Sequence, residues 1–451
     1  MPKNVRISLA NFCCPEYCVL GRGAAALIIY EVQSGDTAAS VAGAFGVSVQ
    51  RLIADNGLER PDRLTPGQAL IILKPELTHT VRSGETLYSI ARFYGTDIMT
   101  LLRNNPWLTA EPVLPVGRRL TISFEDKPEA TLRINGYAYP FISPALLRRE
   151  LPFLSTLTIF GYGFTDAGKL IAPDDEPLLA MAGEFGVSPV LLLSSITEDG
   201  NFSSERASRL FREPALQRQV LYELADIMEQ KGYRGLDIDF EYVSPEDSDA
   251  FLAFIANVAG LMHERGFFVH VDLAPKTSAR QAGLLYEAHD YAAIGALADT
   301  VLLMTYEWGY SHGPPMAIAP INQVRRVVNY ALTAIAPEKI LLGIPNYAYD
   351  WTLPFIKGES RAVSISNQYA VSLAGRYGSA IIFDPVAQSP YFNYRSQNGE
   401  HVVWFEDVRS IKAKLDLTLE SALRGVGYWN LMRPFAQNWA LMSVTAVPES
   451  V

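Results

Sequence analysis

Residues 232–243 read GYRGLDIDFEYV, and within them Asp237, Asp239 and Glu241 alternate with Leu236, Ile238 and Phe240. Extended chain has a side-chain period of two, so the three acids share one face and the three apolar residues share the other. An edge strand with one wetted face has this alternation, but such an edge would mix Lys, Thr and Ser with its acids. The other reading turns the acids into an enclosed space. Confined there, they cost several kcal/mol unless they share protons and hydrogen bonds. Like charges so close do not all ionise, so at least one pKa rises. A carboxyl group kept protonated near neutral pH is a general acid, and that is the chemistry this spacing supports.

Such acids need a frame. After residue 130, strand-like runs alternate with amphipathic helical stretches such as PALQRQVLYELADIMEQKG and DSDAFLAFIANVAGLMHERG. The runs are LRINGYAY, LTIFGYGF, PVLLLSS, GLDIDFEY, FFVHVDLAP, TVLLMTYEW, ILLGIPNYAY and GVGYWNLM. Eight in series predict an α/β fold, a (β/α)8 barrel over residues 130–447. A doubly wound open sheet is the alternative. The gap between runs seven and eight is nearly twice the others and holds SAIIFDP and HVVWFED, which predicts a small α+β insertion. In a barrel the outer strand face packs on helices, so Asp237, Asp239 and Glu241 point inward, with Glu241 nearest the C-terminal mouth. Tyr137, Asp272, Trp308 and Asn346 end other runs and either line the cleft or serve in packing.

Residues 30–72 and 79–122 repeat one another. Val32, Gly35, Thr37, Phe45, Leu52, Asn56 and Pro66 recur as Val81, Gly84, Thr86, Tyr94, Leu101, Asn105 and Pro115. A period of about 49 residues marks a duplicated unit. Each copy reads as a βααβ module, spanning 28–74 and 78–123, with FEDKPE at 124–129 as the linker. Both copies resemble the LysM domain through V-x-S-G-D/E-T, the Asn after the second helix and the closing Pro-(x)-Gly-x-x-L-x-I. That resemblance implies binding of glycans containing N-acetylglucosamine, such as peptidoglycan or chitin. It places the ligand between Gly35, Asp36 and Thr37 with Leu64 and Pro66 in the first copy. In the second, the residues are Gly84, Glu85 and Thr86 with Leu114 and Pro115.

GLDIDFE is similar to the D-G-x-D-x-D-x-E signature of glycoside hydrolase family 18, carried at the end of barrel strand four. MTYE at run six and YWN at run eight extend the likeness over residues 130–445. With the paired LysM modules, the whole resembles spore cortex-lytic N-acetylglucosaminidases of the YaaH/SleL type. The resemblance implies a retaining hydrolase that uses no enzymic nucleophile: the substrate's 2-acetamido oxygen attacks the anomeric carbon. Glu241 is then acid and base, Asp239 bonds the acetamido N–H, and Asp237 shares a proton with it. Tyr306 bonds the acetamido oxygen, and Trp429 stacks under the sugar. Glu307, Trp308 and Asn430 join Tyr137, Asp272 and Asn346 as candidate substrate contacts. Two departures stand out. Arg234 replaces the signature's first Asp, an odd number of residues before Asp237 and so off the acids' face. Glu307 replaces an Asp. Neither cofactor nor metal is implied.

The bulk numbers agree with a glycan partner. The chain has 451 residues, is 49% apolar and carries a formal charge of −10. Nucleic acid and anionic membranes call for a basic footprint, and no run approaches a membrane span. Three functions are compatible: a cortex or peptidoglycan hydrolase, a chitinase, and a non-catalytic glycan-binding protein. The intact acids weigh against the last. No secretory signal is recognisable, which suits a protein of the spore coat, cortex or wall made inside the mother cell. Residues 1–27 form an unassigned leader holding Cys13, Cys14 and Cys18. Arg22-Gly23 can be encoded as a purine-rich ribosome-binding site nine nucleotides before Leu27, so the leader is expected to be translated untranslated sequence, disordered for want of a partner surface.

Overall fold

The computed structural model describes residues 17–19, 27–110 and 113–451. In the first repeat, strand Ile28–Glu31 leads to helices Ala38–Phe45 and Val49–Asn56 and closes with strand Ala69–Ile72. The second runs through Pro75–Thr80, Leu87–Tyr94, Ile98–Asn104 and Arg119–Phe124. Thr37 and Thr86 cap the first helices, each in reciprocal exchange with the residue three on, Ser40 and Ser89. Asp36 and Glu85 do other work: Asp36 accepts from Gln33 N and the Tyr30 hydroxyl, Glu85 from Arg82 N and His79. The repeated Asn is structural. The Asn56 side chain donates to Leu52 O and Ile71 O and accepts from Ile71 N, tying helix to strand; Asn105 does the same with Leu101 and Thr121.

Part of the leader departs from expectation. Tyr17–Val19 pairs antiparallel with Ile28–Glu31, because the first module's sheet otherwise ends in an edge of unpaired backbone groups. Cys13, Cys14 and the remaining leader expectation lie outside the described residues.

Eight parallel strands follow: β1 (Ala130–Ala138), β2 (Thr156–Phe164), β3 (Ser188–Ser194), β4 (Gly235–Asp239), β5 (Phe268–Leu273), β6 (Thr300–Leu303), β7 (Ile340–Pro345) and β8 (Gly425–Trp429). Each pairs with the next, and β8 pairs with β1, Gly425 opposite Arg133, so the sheet closes into a barrel. Alternation then sorts the side chains. Leu236, Ile238 and Phe240 enter the large core shared with outer helices such as Ser248–Glu264, through Phe251, Phe254 and Ile255. Inside, Tyr137, Leu192, Leu302 and Leu341 form a separate cluster beneath the mouth. Between β7 and β8 lies the insertion, a five-stranded antiparallel sheet with helix Asn367–Tyr377. No helix among the described residues is long and apolar enough to cross a membrane.

The first module rests on the barrel. Gln437, on the last helix, Ala436–Thr445, donates to Asn56 Oδ1 at 3.0 Å and Ala69 O at 2.7 Å. Arg409 reaches Glu31 at 3.0 Å and Gly67 O at 3.2 Å, and Gln368 donates to Gly57 O.

Candidate active site

β4 ends at Asp239, so the first two acids stand on the strand and Glu241 stands on the loop at the mouth. All five strand residues are buried. Gly235 starts the strand because a side chain there would run into the Phe268 ring. The strand's upper end is pinned from β3, whose Ser194 hydroxyl donates to Asp239 O at 2.6 Å. From the other side, neutral His289 supports the turn. Its Nδ1 accepts from Ala274 N at 3.1 Å while Nε2 faces Phe240 O at 3.3 Å. An acceptor Nδ1 cannot carry a proton; burial, which comes first, lowers the imidazole to about 4.

Asp237 is fully buried and neither of its oxygens completes a hydrogen bond of good geometry. The nearby Tyr137 hydroxyl donates instead to Asp272 Oδ1, at 2.7 Å. Burial, with the charges of Asp272 and Asp239, pushes the Asp237 carboxyl well above the usual carboxylate range. Asp239 is raised likewise by burial, then by Glu241 and Asp272. Glu241 is pushed up to about 7 by burial, then by Asp272 and Glu307. Its surface is open to solvent, yet it stands in a concave wall where protein replaces most of the surrounding water, which is why burial still dominates.

Tyr306 enters from the end of β6, its ring lying over Gly343 of β7, where a Cβ would come within 2.9 Å of it. Glu307 follows with φ of 65°, a left-handed backbone that a non-glycine residue adopts only when its surroundings hold it there. The holding groups are the hydroxyls of Tyr347 and, at 3.1 Å, Tyr349. Trp429 packs edge-on against Tyr137, Tyr139 and Phe160 at 5.5 to 6.1 Å between ring centres.

These groups border two cavities. One, of about 420 Å³, is lined by Asp239, Glu241, Asp272, Tyr306, Glu307, Trp308 and Trp429, among others. The second, of about 270 Å³, is lined by Ser194, Phe202, Asp239, Glu241 and Tyr242, among others. Asp239 and Glu241 are common to both.

Not every residue expected in the cleft is there. Tyr137 is buried beneath it as the clamp on Asp272. Asn346 is buried too, and its amide is spent on Asn430 O and Arg433 O. Asn430 turns the chain after β8, its Oδ1 accepting from Met432 N at 3.2 Å. Arg234 is exposed at the opposite end of β4. His270 was missed, although VHVD on β5 has the same alternation as LDID on β4. Its Nδ1 lies 2.7 Å from Thr300 Oγ1 and its Nε2 3.5 Å from Asp272. Asp237, His270 and Asp272 offer ligand atoms all within 4.8 Å of one another, the one such grouping among the described residues. Partners already engage Asp272 Oδ1 and His270 Nδ1, leaving the Asp237 oxygens, Asp272 Oδ2 and one imidazole nitrogen.

With the geometry in place, comparison with known proteins decides the family. The family model for "Glycosyl hydrolases family 18" matches residues 187–433, more than half of the chain, and the LysM domain model matches 30–73 and 79–123. The chain is a family 18 glycosyl hydrolase. This family 18 chain is 38% identical over 422 residues to a cortical fragment-lytic enzyme of Bacillus subtilis (strain 168), spanning 92% of this chain and 97% of the relative. The crystal structure of the Bacillus megaterium QM B1551 spore cortex-lytic enzyme SleL superposes with a TM-score of 0.79 at 35% identity, covering 94% of this chain and 99% of that one. A chitinase of Chromobacterium violaceum shares the fold, with a TM-score of 0.65 at 24% identity over 70% of this chain and 99% of that one.

Proposed function

We propose that this family 18 hydrolase cleaves N-acetylglucosamine linkages in spore cortex peptidoglycan by substrate-assisted catalysis, carried to its substrate by the LysM modules and associated with the spore coat, cortex or wall. The observation that carries the reading is the place of Glu241: a carboxyl group poised near 7 in the wall shared by two cavities. A glycan crossing that wall leaves one sugar on each side with the scissile oxygen at Glu241. Glu241 protonates that oxygen as the glycosidic bond breaks, while the substrate's acetamido oxygen bonds to the anomeric carbon. Asp239 accepts from the acetamido N–H and Tyr306 donates to the acetamido oxygen. Asp237 holds the proton that keeps two adjacent carboxyls from both ionising. Glu241, now a carboxylate, takes a proton from the water that opens the oxazolinium ring. Trp429 floors the sugar, and burial, then the charges of Asp272 and Glu307, raise the proton affinity of Glu241.

The test is product analysis by mass spectrometry on purified cortex fragments beside chitin oligomers. Cleavage products ending in reducing N-acetylglucosamine from cortex are expected, with Glu241→Gln at least a thousandfold slower and still binding. Preferential turnover of chitin oligomers would assign a chitinase instead, and a Glu241→Gln variant within tenfold of the parent would overturn the assignment of the acid.

A further inference from the structure

The two LysM modules share a pattern but not their surroundings. In each, the loop before the last strand lies against the end of the first: Gly67 N donates to Val32 O and Gly117 N to Val81 O. In the first module that loop is packed against the insertion between β7 and β8. Ile381 N donates to Pro66 O at 2.9 Å. A Cβ on Gly67 would fall 1.9 Å from Ile381 O, and one on Gly375 would fall 2.7 Å from Thr65 Oγ1, so both glycines are needed for so close an approach. Leu64 and Thr65 retain only 7% and 5% of their surface. The Leu64 and Pro66 half of the expected glycan groove is therefore occupied by the chain's own catalytic domain.

The matching loop of the second module is open, and its chemistry differs. Gln68 N donates to Thr65 O and Arg118 N to Pro115 O, so Val116 stands where the first module has Pro66. Val113 and Val116 are 74% and 67% exposed, and Tyr88, at the start of the adjoining helix where the first module has Ala39, is 63% exposed. Exposed apolar side chains gathered on one small module mark a contact surface. Around them Arg82, Arg118 and Arg119 are exposed, with no ion pair among the described residues. Residues 79–123 carry five arginines against three acids, whereas residues 30–73 carry three against five.

Resting on the reading of the modules as glycan-binding, we propose a division of labour between them. The first module's loop is a docking element, which with Arg103 of the second module, donating to Pro152 O at 3.0 Å, fixes the tandem to the barrel. The second alone captures the glycan, through the Tyr88–Val116 face, and its arginines select an acidic polymer bearing carboxylates over neutral chitin. An aromatic ring offers its face to a sugar, and the arginines meet the substrate's carboxylates with charge-assisted hydrogen bonds. Such pairing is screened by salt.

The test uses the full chain and cosedimentation with peptidoglycan sacculi and with chitin beads. Tyr88→Ala with Arg118→Glu should weaken pelleting with sacculi at least tenfold. Gln33→Ala with Ser34→Ala, at the matching loop of the first module, should change it less than twofold. Pelleting with sacculi should weaken between 50 and 500 mM salt more than pelleting with chitin. Hydrogen exchange provides a second measurement independent of affinity: the Ile381 amide is expected to be protected in the free protein, and added sacculi to slow exchange over residues 84–88 and 113–118 but not 33–37. Equal losses from both variants, or new protection at 33–37, would overturn the division while leaving glycan targeting in place. A parent chain that does not pellet with sacculi would remove targeting and the division together.

Discussion

Glu241 makes the pH profile of this enzyme calculable. Its carboxyl lies at about 7 rather than 4.5, with burial the largest cause, then Asp272, then Glu307. The protonated form is the working one, so kcat/KM holds below about pH 6 and falls through pH 7, leaving roughly a tenth of the plateau at pH 8. Asp272→Asn removes the larger of the two charges while its amide oxygen still accepts from the Tyr137 hydroxyl. Because burial is the largest of the three causes, the two charges together account for less than two thirds of the rise from 4.5 to about 7, and losing Asp272 should lower the limb by about 0.5 to 1 on the pH scale. At pH 8 the variant then falls a further threefold to tenfold below the parent on this account alone. The assay is kcat/KM on a soluble N-acetylglucosamine oligomer from pH 5 to 9, which reports the free enzyme's acid. A parent profile flat to pH 8.5, or a limb that Asp272→Asn leaves in place or raises, would refute the reasoning.

Other outcomes follow from the same geometry. Arg234→Ala should keep kcat/KM within about threefold, because Arg234 stands at the exposed far end of β4; a hundredfold loss in the same assay would contradict the facing of the acids. His289 is buried and neutral, with its imidazole lowered to about 4 from 6.5. Its contribution is full above pH 6.5 and is lost as pH falls through 4, a difference of up to about 3 kcal/mol; urea denaturation at pH 7 and pH 4 measures it, and His289→Asn should flatten the slope. Deleting residues 1–127 should abolish pelleting with sacculi and also lower the melting temperature, because Gln437 loses Asn56 and Ala69 O and each lost hydrogen bond costs about 1 kcal/mol. An unchanged melting curve would mean the module adds nothing to the barrel's stability.

The modules and barrel strands were legible because their signals are local. Alternation puts Asp237 and Asp239 on one face of β4 whatever the rest of the chain does, and turn residues such as Gly46 and Gly57 end helices through their own left-handed backbones. The same alternation marks His270 beside Asp272, so that residue was readable and passed over. Other assignments depend on what arrives from elsewhere in the chain. Asn346 ends β7 as a plausible cleft residue, but the turn after β8 brings two carbonyls that consume its amide. Tyr137 belongs under the cleft rather than in it because Asp272, 135 residues away, offers the acceptor. The two LysM loops hold the same place in their repeats, yet only one meets Ile381. Residue types and period thus determined which groups carry the chemistry and which face they take. Burial, electrostatic coupling and the docking of one repeat come from segments far apart in the chain, and only tertiary packing decided them.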